Sequence, residues 1–182
     1  MDTLARSATI HTIGHSTREL SELISALHAH KIAALVDIRS FPMSRGLPYF
    51  NRENLEKGLP KVGIEYRWLR QLGGRRKRLT DNSPHVALRN DSFRNYADHM
   101  LTSEFQQGIE ELLKIADTGP VAIMCAERVY FHCHRMLVSD YLTAQGHEVL
   151  HIDNEKPPRL HQLMAEARMV DGHLIYKGDR LL

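Results

Sequence analysis

Short, mostly apolar segments alternate along this chain with stretches whose apolar positions recur at helical spacing. Ala8 to Ile13 reads as a first strand, which Gly14-His15-Ser16 leaves sharply. Ser16 followed by Glu19 has the spacing of a capping box, and Leu20, Leu23, Ile24 and Leu27 then form an i, i+3, i+4, i+7 stripe. Ile32 to Ile38 is short and nearly all apolar, which predicts a second strand buried on both faces. A proline- and glycine-broken loop follows from Phe41 to Asn51. Asn51 stands where it would cap a short helix running through Leu55 to Gly58. Gly63 to Leu69 predicts a third strand, which Gly73-Gly74 breaks.

From Arg75 to Asn90 there is no usable periodicity. A helix resumes near Ser92, and Thr102 or Ser103 starts another with Phe105, Ile109, Leu112, Leu113 and Ala116 on one face. Gly119-Pro120 stops it. Val121-Ala-Ile-Met-Cys125 is an unbroken apolar run and predicts a fourth buried strand. A polar loop leads into a helix carrying Met136, Leu137, Tyr141 and Leu142, which Gly146 ends. Glu148 to Ile152 is a fifth strand and Pro157-Pro158 a loop. A last helix is expected over Leu160 to Met169, and Leu174 to Tyr176 as a terminal edge strand. With no repeat, low-complexity tract or linker, residues 1–182 read as one domain.

Strands alternating with helices imply a three-layer, Rossmann-like α/β fold, its mostly parallel sheet of about five strands covered by helices on both faces. In such sheets ligands bind beyond the carboxyl ends of the strands. The polar residues gather there: His15 and Ser16 after strand one, Asp37, Arg39 and Ser40 after strand two. Cys125 and Glu127 follow strand four, and His151 and Asp153 follow strand five. The loop from Phe41 to Asn51, with its aromatics and Arg45, reads as a lid over that crevice.

Composition narrows the function classes. A net charge of +2 argues against a surface built wholly for nucleic acid. The run Arg75 to Arg78 reads as a solvated loop, with a local phosphate patch as the alternative. No apolar stretch approaches the ~20 residues that cross a bilayer. Met1 to Arg6 lacks the basic and apolar segments of a secretory signal. Two cysteines this close together do not form a disulfide framework, so a cytoplasmic protein with reduced thiols is expected.

Both cysteines lie in one strand–loop–helix unit. Cys133, near the start of the helix that carries Met136 and Leu137 and beside His134 and Arg135, is placed to ionise easily: uncapped backbone N–H groups and cationic neighbours favour a thiolate. Partial exposure in the first helical turn is expected; the alternative is a small buried hydrophobe. Cys125, at the end of a buried strand, reads as packing, as a resolving thiol or as a metal ligand. His134 or His15 would be the proton partner of Cys133, and Glu127 a base or an ion-pair partner for Arg135. Ser16, Asp37, Arg39, Arg45, Asn51 and Arg135 are candidate ligand-binding residues for an anionic, nucleotide-like small molecule. A metal reading would gather Cys125, Cys133, His132, His134 and His15, although the seven residues between the cysteines are not a usual zinc spacing. Whether a cofactor takes part is unknown from the sequence.

With these residues in view, the chain resembles the bacterial and archaeal domain of unknown function catalogued under number 488. The resemblance rests on Thr12-Ile-Gly-His-Ser-Thr17, Leu35-Val-Asp-Ile-Arg39, Pro42-Met-Ser-Arg45, Phe50-Asn51 and Leu72-Gly-Gly74. It continues through Ser92-Phe-Arg-Asn-Tyr-Ala97, Met124-Cys-Ala-Glu127, Cys133-His-Arg135 and His151. The loop before Cys133 usually carries proline, tryptophan and arginine in that family, and here reads Tyr130-Phe131-His132. The resemblance implies a fold and a motif set without a reaction. The reading favoured is a cysteine-dependent transferase or hydrolase; the alternative is a non-catalytic module that binds a nucleotide or nucleic acid.

Overall fold

A computed structural model describes residues 7–178; the expectation for Met1 to Arg6 lies outside them. Five parallel strands form the body of one sheet: β1 (Thr9–Gly14), β2 (Ala34–Asp37), β3 (Glu65–Trp68), β4 (Val121–Cys125) and β5 (Glu148–His151). A sixth, β6 (Arg159–Leu160), adds antiparallel to β5, giving the order β3-β2-β4-β1-β5-β6.

The period of the strands sorts their side chains onto two faces. Val121 and Ile123 of β4 pack with Val36 of β2 against α3 (Asp91–Met100), α4 (Ser103–Ala116) and α5 (Arg135–Ala144). Ala122 and Met124 turn the other way, toward α1 (Leu20–Ala29) and α2 (Arg52–Gly58), with Leu23, Leu27 and Leu55. Apolar residues on both faces explain why β2 and β4 read as unbroken apolar runs rather than alternating ones. This is the three-layer α/β arrangement expected. No helix among the described residues is long and apolar enough to cross a membrane.

One helix start shifts from its expected cap. Ser16 lies in a tight turn at φ 50°, and Glu19 takes the cap position of α1, its N–H held by Glu22 at 2.8 Å. Helix α3 resumes near Ser92 as expected, capped by Asn90, which accepts from Phe93 N. Thr102 caps α4 as expected.

The end of the chain corrects the prediction. No helix forms over Leu160 to Met169; β6 gives way to an irregular stretch, and Ala167–Val170 (β7) pairs with His173–Tyr176 (β8) in a separate two-stranded sheet. The last strand is therefore not an edge of the main sheet. The two-residue connection is Asp171-Gly172, with φ 50° and 80°, the left-handed pair that matches the twist of a hairpin. Two anchors override the helical reading of Leu160 onward. His161 is buried against Asp140, and Met164 N donates to the same carboxylate at 3.1 Å.

Candidate active site

A cavity of about 730 Å³ opens beyond the carboxyl ends of β1, β2 and β4. His15, Arg39, Cys125, Glu127, Cys133 and His134 line it, so residues from three strand ends and one helix start converge as parallel topology requires.

Its floor is sulfur and imidazole. Cys133 follows the 3₁₀ turn Tyr130–His132, is extended at φ −131°, and precedes α5 by two residues; only 4% of it is exposed. The expectation of partial exposure within the first helical turn is thus corrected: the 3₁₀ turn tucks the thiol under the loop. The helix start still acts on it, because the Arg135 N–H donates to Cys133 Sγ at 3.5 Å. His134 Nε2 donates to the Ile38 carbonyl at 3.0 Å, which turns Nδ1 toward both sulfurs, 3.5 Å from Cys133 and 3.9 Å from Cys125. The three atoms all lie within 4.8 Å of one another.

Hydrogen bonding from the Cys125 thiol, together with His134 and Arg135, holds Cys133 well below the ordinary cysteine range despite its burial. Cys125 is pushed up by the same bond and by burial, since two thiolates this close do not both ionise. The glycine at 74 makes the arrangement possible. A Cβ there would sit 2.4 Å from His134 Nδ1.

Arg39 forms one wall. Its Nε and Nη2 grip Asp37 at 2.6–3.1 Å, Nη2 also reaches the Phe50 carbonyl, and Nη1 meets His15 Nε2 at 3.2 Å. Of the five guanidinium N–H groups, four have these partners among the described residues, and one Nη1 N–H remains on a side chain that lines the cavity. Asp37, fully buried, also accepts from Tyr66 Oη at 2.6 Å; it braces Arg39 rather than facing a ligand. His15 Nδ1 donates to the Ser16 carbonyl, so Nε2 presents its lone pair to Arg39. Burial drives the His15 pKa down to about 4. It is a neutral orienter of Arg39, with no lone pair left for proton transfer.

The remaining candidates separate. Phe41, Met43 and Ser44 of the loop from Phe41 to Asn51 line the cavity, whereas Arg45 is exposed and does not. Asn51 staples that loop by accepting from Ser44 N at 2.6 Å. Glu127 is exposed at the rim and meets Arg135 through its backbone carbonyl rather than its carboxylate. Arg135 is buried, holding the Glu127 and Arg128 carbonyls and facing a second cleft of about 440 Å³ with Lys156 and Arg159. The basic run splits: Arg76 binds the carbonyls of Arg70, Gln71 and Gly73, Arg78 pairs with Asp81, and Arg75 alone lines the cavity.

The chain matches the model of a family described as Domain of unknown function DUF488 over residues 19–142. It belongs to that family. The DUF488 match takes in Asp37, Arg39, Cys125, Glu127, Cys133, His134 and Arg135, while His15, Ser16 and His151 fall outside it. No curated protein and no solved structure matches the chain.

His151, expected at the crevice with the other strand-end residues, does not line this cavity and instead joins a hydrogen-bonded group that the sequence did not reveal. Thr12 Oγ1 bonds His151 Nδ1 at 2.7 Å, His151 Nε2 bonds His161 Nδ1 at 2.8 Å, and His161 Nε2 bonds Asp140 at 2.8 Å. Both nitrogens of each ring are engaged, so this chain fixes the end of β5 against α5 and β6 rather than offering a base. The Asp171-Gly172 dipeptide was the available signal that the region is a hairpin.

Proposed function

We propose that the protein is a cysteine-dependent enzyme, a transferase or hydrolase, acting on a small anionic molecule in the cavity between Arg39 and Cys133. The observation that carries this reading is the setting of Cys133 Sγ. A buried sulfur receives the Arg135 N–H and faces His134 Nδ1 and Cys125, on the floor of a cavity large enough for a metabolite.

In this reading Cys133 attacks an electrophilic acyl, phosphoryl or sulfur centre. His134 Nδ1 takes the thiol proton and returns it to the departing group. The free Arg39 N–H and the Arg75 guanidinium meet the anionic end, and exposed Phe41 and Met43 cover an apolar part. Glu127, at the rim, is placed to activate water for release. The cytoplasm, where thiols stay reduced, is the compartment this chemistry needs.

Iodoacetamide labelling tests it. Cys133 should react on the order of tenfold faster than Cys125 at neutral pH, with a rate that levels off below the ionisation of a free cysteine. Cys133→Ser should abolish turnover of whatever substrate a metabolite screen returns, and Cys125→Ser should retain part of it. Equal, slow labelling of both thiols would sink the nucleophile. Ligand binding that persists with an inert Cys133 would assign the cavity to a non-catalytic binding module instead.

A further inference from the structure

The triangle of Cys125 Sγ, Cys133 Sγ and His134 Nδ1 has a second chemistry. We propose that it is a preformed site for one thiophilic divalent cation of the zinc type, held by these three side chains with its fourth position open to the cavity. Zinc–sulfur bonds of about 2.3 Å and zinc–nitrogen bonds of about 2.05 Å at the tetrahedral angle put the nitrogen about 3.6 Å from each sulfur. The observed separations are 3.5 and 3.9 Å. Both nitrogen–sulfur edges of such a site are thus in place, and all three ligand atoms lie within 4.8 Å of one another.

Two further features point the same way. Histidine ligands donate their other ring N–H to a carbonyl or carboxylate, which fixes the ligating nitrogen. His134 does so, with Nε2 on the Ile38 carbonyl at 3.0 Å. The Arg135 N–H on Cys133 Sγ is the kind of bond that steadies a ligating thiolate. Charge completes the fit: two thiolates and a divalent cation sum to zero, so the ion allows both buried sulfurs to be deprotonated together. Three protein ligands and an open fourth position lining a cavity resemble a catalytic rather than a closed structural zinc site. The seven-residue spacing that argued against zinc in the sequence is bridged by the 3₁₀ turn Tyr130–His132, which folds Cys133 back over the end of β4.

Metal binding stands independently of the proposed nucleophile. Its consequence, that a loaded ion silences Cys133 toward electrophiles, rests on that reading. The test uses the full chain, reduced and freed of metal by a chelator, and titrated with Co²⁺ and then Zn²⁺. One equivalent of Co²⁺ should give the intense visible bands of tetrahedral cobalt and a thiolate charge-transfer band in the near ultraviolet. Zn²⁺ should displace it at one equivalent, releasing protons, and Mg²⁺ should not. Cys125→Ser and Cys133→Ser should each weaken Co²⁺ binding on the order of 100-fold, while His132→Ala, whose exposed ring lies outside the triangle, should leave it unchanged.

One readout needs no variant: a single equivalent of Zn²⁺ should protect both thiols of the wild-type protein from iodoacetamide. Absence of the cobalt bands, protection of neither thiol, or loss of binding in His132→Ala would overturn the site. Fast Cys133 labelling without cobalt binding would overturn the metal alone. Cobalt binding with slow labelling of the metal-free protein would overturn the nucleophile alone.

Discussion

Gly74→Ala places one methyl group against the candidate site, and the structure sets its cost. The new Cβ would lie 2.4 Å from His134 Nδ1, 2.7 Å from Cγ and 2.8 Å from Cε1. Gly74 is not among the positive-φ glycines, so alanine is conformationally allowed and the penalty is steric. His134 has little room to retreat, because Tyr96 packs on its ring at 5.0 Å and the Ile38 carbonyl holds Nε2. Overpacking of this kind costs about 1–3 kcal/mol, and losing the Ile38 bond adds about 1 kcal/mol. The smaller entropy of an unfolded chain with alanine returns about 0.4–1 kcal/mol. The net loss should be about 1–3.5 kcal/mol, a fall in Tm of roughly 2–14 °C for a chain of this size. Thermal unfolding measures this, with Gly46→Ala as control, since its Cβ would meet nothing within 4 Å. The iodoacetamide rate at Cys133 should fall as well, because His134 no longer faces the sulfur. A Tm and a labelling rate both equal to the control's would show that His134 is not held where the structure puts it.

Acid should destabilise the fold early. Burial keeps His15 and His151 neutral, with pKa values pushed down to about 4 and about 3 from 6.5. The unfolded chain protonates both below pH 6.5, so the stability they contribute is present above that value and is lost as pH falls toward their folded values. At pH 5 each should cost about 2 kcal/mol, read as a drop in urea midpoint; a flat midpoint from pH 6.5 to 5 would contradict their burial as neutral rings. Tyr66→Phe removes the 2.6 Å bond to Asp37 and should cost about 1.5–3 kcal/mol in urea unfolding. Asp140→Asn disturbs bonds to His161, Tyr176 and Met164 and should cost on the order of 3 kcal/mol, with the β7–β8 segment becoming the first site of limited proteolysis. Arg45→Ala, in contrast, should stay within about 0.5 kcal/mol of wild type and leave Cys133 labelling unchanged.

How much was legible in the chain depended on the range of the interaction. The two-sided burial of β2 and β4 is written as the apolar runs Ile32 to Ile38 and Val121 to Cys125, because each residue there meets apolar neighbours whichever way it points. The alternation of such runs with amphipathic stretches sufficed for a parallel three-layer sheet, and parallel topology then put His15, Arg39, Cys125 and Cys133 on one cavity. Their roles were decided by contacts between residues far apart in sequence. Tyr66 and Asp37 make Arg39 a braced wall; Arg39 and Ser16 take both nitrogens of His15. Ile38 turns His134 toward the sulfurs, and Gly74 leaves room for its ring. The stretch from Leu160 to Met169 failed as a helix for the same reason. Local helix propensity there is high, with Leu, Gln, Met, Ala, Glu and Arg throughout, but the buried partners offered by Asp140 outweigh it. Hydrophobic period is a property of the chain alone, whereas a hydrogen-bond partner exists only once the fold has brought it within about 3 Å.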